Sequence, residues 1–209
     1  MRKTAHGAPD ARREQILEAA HRAFLANGFA DTSIDAIAGA AKVSKQTLYA
    51  LFRDKSALFT AVVEREMEDF RREVPDLVGD RRAPEDVLVD VARWLYDHQV
   101  RPENIAMMRT LVGAAARFPD LVEAYHRFRV KASLHWVAAY LRQLVERGVL
   151  EFDDPEAAAN RFALLASDGP RSLMGLAPLT RAERDRLARI TARLFLHGLA
   201  RPGSAAARL

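Results

Sequence analysis

Ser44-Lys45-Gln46-Thr47 places a helix cap, an ammonium, a carboxamide and a methyl-bearing hydroxyl within one helical turn. Those are groups that read base edges in a DNA major groove. Lysine donates to guanine acceptors, glutamine pairs with adenine, and the threonine methyl packs against the methyl of thymine. Tyr49 and Lys55 lie around the same short helix, where phosphates would flank the groove. Thr32 and Ser33, at the start of the preceding helix, offer hydroxyls and amides to a further phosphate. Patterns for other chemistry are missing from the chain. It has no Gly-rich phosphate loop, no G-x-S-x-G and no H-E-x-x-H. The histidines at 6, 21, 98, 126, 135 and 197 include no pair spaced by three or four, so no metal site is expected. Asp153-Asp154 precedes Pro155 and reads as a helix cap rather than as paired catalytic carboxylates. No catalytic residue and no cofactor is expected, and the chain does not read as an enzyme.

Two short helices must hold the Lys45 turn in place. Thr32 or Ser33 caps a helix carrying Ile34, Ile37, Ala38 and Ala41, and Lys42-Val43-Ser44 is long enough only for a tight turn. Ser44 then caps a second helix of about two turns, with Leu48 and Phe52 facing inward. Residues 33 to 52 therefore fit a helix-turn-helix. A supporting helix over 12 to 27 has Ile16, Leu17, Ala20 and Phe24 on one face and stops at Asn27-Gly28. Asp54 caps another, from Lys55 towards Val74. The same pattern would also suit a helical corner that packs only on its own domain.

Downstream, Pro84 opens a helix through Gln99, Pro102 one through Arg117, and Pro119 the longest, running to Arg147 before Gly148. Asp154-Pro155-Glu156 starts a helix towards residue 176 that Gly169-Pro170 must bend or break. Thr180-Arg181-Ala182-Glu183 is a capping box for the last helix. The expected class is all-α, with about nine helices, a DNA-binding domain over 1–60 and a second domain over 61–209. With 49% hydrophobic and 29% charged residues, the 209-residue chain lies far from the disordered class. It has no cysteine and no apolar run long enough to span a membrane, so a cytoplasmic location is expected. Its net charge is +4, and residues 1 to 60 hold nine Lys or Arg against six acids, which places most of the excess where an anionic partner would dock.

Thr32-Ser33-Ile34 through Ile37-Ala38, then Val43-Ser44-Lys45-Gln46-Thr47-Leu48-Tyr49, Phe52 and Lys55-Ser56-Ala57-Leu58, closely resembles the DNA-binding domain of TetR-family transcriptional repressors. The match covers residues 12 to about 63 and is ungapped from Ile37 through Tyr49 to Lys55. Leu111-Val112-Gly113, Ala116-Arg117-Phe118-Pro119 and Asp153-Asp154-Pro155-Glu156 look more faintly like the AefR-like group of that family. The resemblance implies a homodimer, a palindromic double-stranded operator and a small-molecule effector that releases it. It implies base contacts from Lys45, Gln46 and Thr47, and phosphate contacts from Thr32, Ser33, Ser44, Tyr49 and Lys55. The chain departs from the family at three positions. Lys42 stands where the turn usually has Gly, at a cost of roughly 1 kcal/mol if its φ is positive. Leu51 replaces the usual His or Tyr, and Asp35 takes a position that is basic in some members and is expected to point away from DNA.

An effector pocket of mainly apolar character is expected among Trp94, Met107, Met108, Leu111, Tyr125, Phe128, Trp136 and Phe162, with Arg109 as its polar group. Each of these could equally be ordinary core. The last two helices are expected to form the dimer interface, with Leu187, Ile190, Leu194 and Gly198 on one stripe and Arg181, Arg184 and Arg189 facing solvent. Two rival functions remain open at the level of the residues. One is a helical small-molecule-binding protein or enzyme without a DNA role, and the other is a DNA-binding protein without sequence preference.

Overall fold

A computed structural model describes the backbone of residues 7–167 and 171–199, and side chains over 11–127, 134–167 and 171–198. Ten α-helices and no strand occur among these residues: α1 Gly7–Asp31, α2 Ile34–Ala40, α3 Lys45–Leu51, α4 Lys55–Glu73, α5 Pro84–Gln99, α6 Pro102–Ala114, α7 Pro119–Ser133, α8 His135–Glu146, α9 Pro155–Leu165 and α10 Arg181–Leu199. The all-α class is as expected from the helical spacing of apolar residues.

Two helices differ from their expected lengths. The single helix expected from Pro119 to Arg147 is two, because Leu134 has ψ 1° and caps nothing with its side chain, so α8 starts afresh at His135. The helix expected to run from Pro155 towards 176 ends at Leu165, and residues 171–175 form turns. Gly169 and Pro170 themselves lie outside the described residues.

The chain divides into two compact units, one of residues 1–69 with 106–128 and the other of 70–105 with 129–209. A single boundary at residue 60 does not follow this packing, because the middle of the chain contributes to the first unit. There the Thr110 hydroxyl donates to the Phe24 carbonyl at 3.0 Å, and Phe118 meets Phe29 edge-on at 4.9 Å. Phe24, Phe29 and Phe59 also contact one another at 5.1 to 5.7 Å between ring centroids. Gly28, at φ 78°, breaks α1 and turns Phe29 back into this cluster. Polar side chains add to the α1–α4 packing, with Arg65 on Glu18 at 3.1 Å and His21 Nε2 2.6 Å from Glu66.

In the second unit, α10 lies along α5. Its Ala188, Thr191, Ala192, Phe195 and Leu196 are buried. Arg184, expected to face solvent, instead pairs with Asp97 at 2.8 Å, while Arg93 reaches Asp185 at 2.6 Å and Arg193 reaches Glu85 at 2.8 Å. Ala188, Thr191 and Ala192 on this inner face let the helices come close enough for their flanking charges to meet. The C-terminus of α9 is held from both helices. Tyr96 and Thr191 donate to the Leu165 carbonyl, and Gln99 donates to that of Ala166, so three side chains satisfy carbonyls the helix cannot pair itself. The capping box forms, with the Thr180 amide donating to Glu183 at 2.8 Å and the Glu183 amide donating to the Thr180 hydroxyl at 3.3 Å.

Asp54 begins α4 by accepting from the Ala57 amide at 2.7 Å, and this bond, reinforced by Arg53, lowers its carboxyl pKa from the ordinary value. A lowered folded pKa adds stability above the unfolded value of about 3.9 and withdraws it as pH falls through the folded one. Asp54→Ala should therefore cost about 1 kcal/mol at pH 7. Urea denaturation of the two proteins at pH 7 and again below pH 3 checks this, and the difference should shrink in acid.

Candidate nucleic-acid interface

Local capping builds the helix-turn-helix. Ser33 accepts from the Ala36 amide at 3.1 Å to start α2, and Ser44 accepts from the Thr47 amide at 3.0 Å to start α3. Between them, the Lys42 amide donates to Gly39 O at 3.1 Å and the Val43 amide to Ala38 O at 3.0 Å. Lys42 has φ 54°, so the left-handed turn that favours glycine is made here by a residue with a side chain. Ile37, Ala38, Ala41, Leu48 and Phe52 are buried and anchor both helices in the first unit's core.

The outer face of the pair carries Lys45, Gln46 and Tyr49, all exposed, with Thr47 half-buried beside them. The Thr47 and Ser44 hydroxyls bond each other at 2.8 Å. Asp35, expected to point away from DNA, lies 2.9 Å from the Lys45 ammonium, and this hydrogen bond and charge raise the lysine's pKa above its ordinary value. Sequence spacing could not show this contact, because the two residues are ten apart and meet only once the turn has folded α3 across α2.

Two of the expected phosphate contacts are turned inward. Thr32 is 4% exposed, and its hydroxyl faces the Gly28 carbonyl at 2.6 Å and that of Ala23 at 3.1 Å. It locks the end of α1, leaving Ser33 as the exposed hydroxyl of that corner. Lys55 donates to the carbonyls of Phe29, Ala30 and Thr32 at 2.7, 3.1 and 3.0 Å. An ammonium has three hydrogens, and all three are engaged. The nitrogen also lies 4.6 Å from the centre of the Phe29 ring, and burial pushes its pKa down. Arg53 went unnoticed in the sequence, yet its side chain is 89% exposed at the end of α3, with only its Nε donated to Asp54 at 2.9 Å. No motif marks such a residue, since its value lies in where the α3–α4 turn leaves it.

The expected pocket residues fall into different cores. Met107 and Leu111 are buried in the first unit, where Met108 is half-buried and receives the Tyr125 hydroxyl at 3.6 Å. Trp94, Trp136 and Phe162 belong to the second. There Trp94 meets Trp136 edge-on at 5.4 Å and stacks on His98 at 5.0 Å, and Phe70 packs edge-on against both Trp94 and His98. Arg109 is exposed rather than set among apolar groups, and the side chain of Phe128 lies outside the described residues. Among the described residues no cluster of His, Asp and Glu could hold a metal, and no helix is long and apolar enough to cross a membrane.

The Lys55 geometry predicts that Lys55→Met strands three carbonyls and destabilises the first unit by about 1–3 kcal/mol, with the salt dependence of DNA binding unchanged. Thermal melting and binding at several salt concentrations measure the two effects separately. Lys42→Gly should raise stability by roughly 1 kcal/mol through relief of the positive φ, read as a higher urea midpoint.

Residues 16–62 match the N-terminal model of the bacterial regulatory proteins of the tetR family, and residues 86–198 match the AefR-like transcriptional repressor C-terminal domain. The chain is 31% identical to the HTH-type transcriptional repressor SCO4008 of Streptomyces coelicolor over 68% of its length and 69% of that protein's. It is also 31% identical to the HTH-type transcriptional repressor NicS of Pseudomonas putida, over 76% of this chain and 74% of the relative. Among solved structures, the flavonoid-responsive regulator FrrA superposes with a TM-score of 0.77 at 33% identity, covering 93% of this chain and all (100%) of that one. The two capped helices that present Lys45 and Gln46 fall within the matched N-terminal range, and the chain belongs to the TetR family of helix-turn-helix regulators, with a C-terminal domain of the AefR-like repressor type.

Proposed function

We propose that the chain is a repressor that binds a palindromic operator as a homodimer and leaves it when a small, mainly apolar molecule binds the C-terminal domain. The observation that carries the DNA part is the exposed α3 face, with Lys45, Gln46 and Tyr49 outward while the caps and core positions of both helices are satisfied within the unit. Gln46 reads adenine, and Thr47, whose hydroxyl is engaged with Ser44, offers its methyl to thymine. Ser33, Ser44 and Tyr49 meet phosphates, and Arg53 and Lys42 supply the cations that Lys55 does not.

Dimerisation is supported by apolar side chains that this chain leaves uncovered. On α10, Ile190 is 45% and Leu194 62% exposed, Gly198 is exposed beside them, and on α9 Leu164 and Leu165 are exposed too. Leu187, the first residue of the expected stripe, packs partly on its own core instead. Two reading heads related by a twofold axis meet half-sites about 34 Å apart.

The effector reading is supported by the Phe70, Trp94, His98 and Trp136 cluster and by the similarity to FrrA, a flavonoid-responsive regulator. Flat aromatic molecules suit stacking against such rings. Near-complete release requires the effector to prefer the non-binding conformation by about 5.5 kcal/mol.

Selection of bound duplexes from a random pool tests the DNA reading. An inverted repeat should emerge, and recovery of no sequence above competitor DNA would contradict it. Arg53→Ala should weaken all duplexes alike and flatten the log–log salt dependence by about 0.9 for one lost phosphate contact. Leu194→Glu should give a monomer by sedimentation, with operator affinity collapsing, because an unpaired charge at the seam costs several kcal/mol of association. An effector should quench or shift the emission of Trp94 and Trp136 and be bound less tightly by operator-loaded protein, by the factor with which it weakens operator binding.

A further inference from the structure

The Asp35–Lys45 pair remains unexplained by folding. It sits on the exposed face of α2 and α3, with the lysine side chain 51% and the aspartate 71% exposed. Ser33 and Ser44 already cap the two helices, and an ion pair this open to solvent adds little to stability. A carboxylate on a surface that must approach phosphates opposes binding unless its charge is put to use. The two Asp35 oxygens lie 2.9 and 3.1 Å from the Lys45 nitrogen, so the pair presents a donor and an acceptor side by side.

That arrangement has a complement on DNA. In the major groove a G·C pair shows two acceptors, guanine N7 and O6, next to one donor, the cytosine N4 amine. The adjoining O6 and N4 are themselves a hydrogen bond apart, about 2.9 Å, which is the separation of the protein's own donor and acceptor. An A·T pair shows an acceptor, a donor and an acceptor in turn, and sets its adenine amine where the ammonium would meet another donor.

Building on the DNA-binding reading above, we propose that Asp35 is a specificity-determining residue that acts with Lys45 as one unit, reading a single G·C pair in each half-site. Lys45 donates to guanine while Asp35 accepts from the cytosine N4 amine. Within this unit Asp35 restricts Lys45 to one base pair and holds it back from neighbouring phosphates, since the ammonium already has a partner when free.

The test is selection from a random duplex pool, followed by measured affinities for the selected site and for its single-base variants. Wild type, Asp35→Ala, Lys45→Ala and the double variant are compared after melting curves show all four folded. Wild type should prefer G·C at one position per half-site by roughly tenfold or more. Asp35→Ala and Lys45→Ala should each relax that same position, and the double variant should lose little more than either alone. Asp35→Asn, which brings a donor to the same place, should weaken the preference for cytosine without loss of fold. Asp35→Ala that selects the wild-type site unchanged, or single variants that relax different positions, would overturn the proposal while leaving operator binding intact. Wild type that selects no sequence at all would remove the DNA-binding reading and this one with it.

Discussion

The first unit depends on one ammonium. Lys55 opens α4 while its nitrogen gathers three carbonyls from the segment that follows the Gly28 break, and so fixes where α1 ends relative to where α4 begins. Everything that carries α2 and α3 lies between those two points in the chain. Removing a cation from water is costly, and three carbonyl dipoles with an aromatic face beneath are what make it tolerable at this depth. Thr32 completes the arrangement from the other side, with its hydroxyl against the carbonyl of Gly28. Lys55 and Thr32, both expected at phosphates, thus have their polar groups engaged within the unit.

With that frame fixed, the reading face needs little energy of its own. Two serine caps set the first turns of α2 and α3, five apolar side chains sink into the core, and the outward residues are left to be chosen for recognition. The strained Lys42 follows from the same logic. A turn this short demands a left-handed residue, and lysine accepts the strain at a position where a further cation faces outward.

The second unit is stabilised differently. Small residues on α10 let it lie close to α5, and the charges along their margins pair in sequence, Arg93 with Asp185, Arg184 with Asp97 and Arg193 with Glu85. Exposed pairs of this kind add little individually. The buried faces between the two helices are Ala188, Thr191, Ala192, Phe195 and Leu196 on α10 and mainly valine, leucine and tyrosine on α5. On the outward side of α10, Ile190 and Leu194 stay exposed, while Leu187 packs partly on the unit's own core.

The sequence by itself determined where most helices begin, because apolar period, proline starts and serine or aspartate caps are local properties. Pro84 and Gln99 bound α5 as expected, the capping box opens α10, and the left-handed turn falls on Lys42. It also identified the helix-turn-helix, whose spacing is short enough to be written in consecutive residues. Only the tertiary structure decided which polar groups are available to a partner. The break at Leu134 carries no Gly or Pro to announce it. Thr32 and Lys55 turned inward, Arg184 found Asp97, and Asp35 met Lys45 across a turn. Met107 and Trp94, which look alike as pocket candidates, went to different cores. Each of these outcomes depends on what lies opposite a side chain once distant segments meet, and no local pattern encodes that.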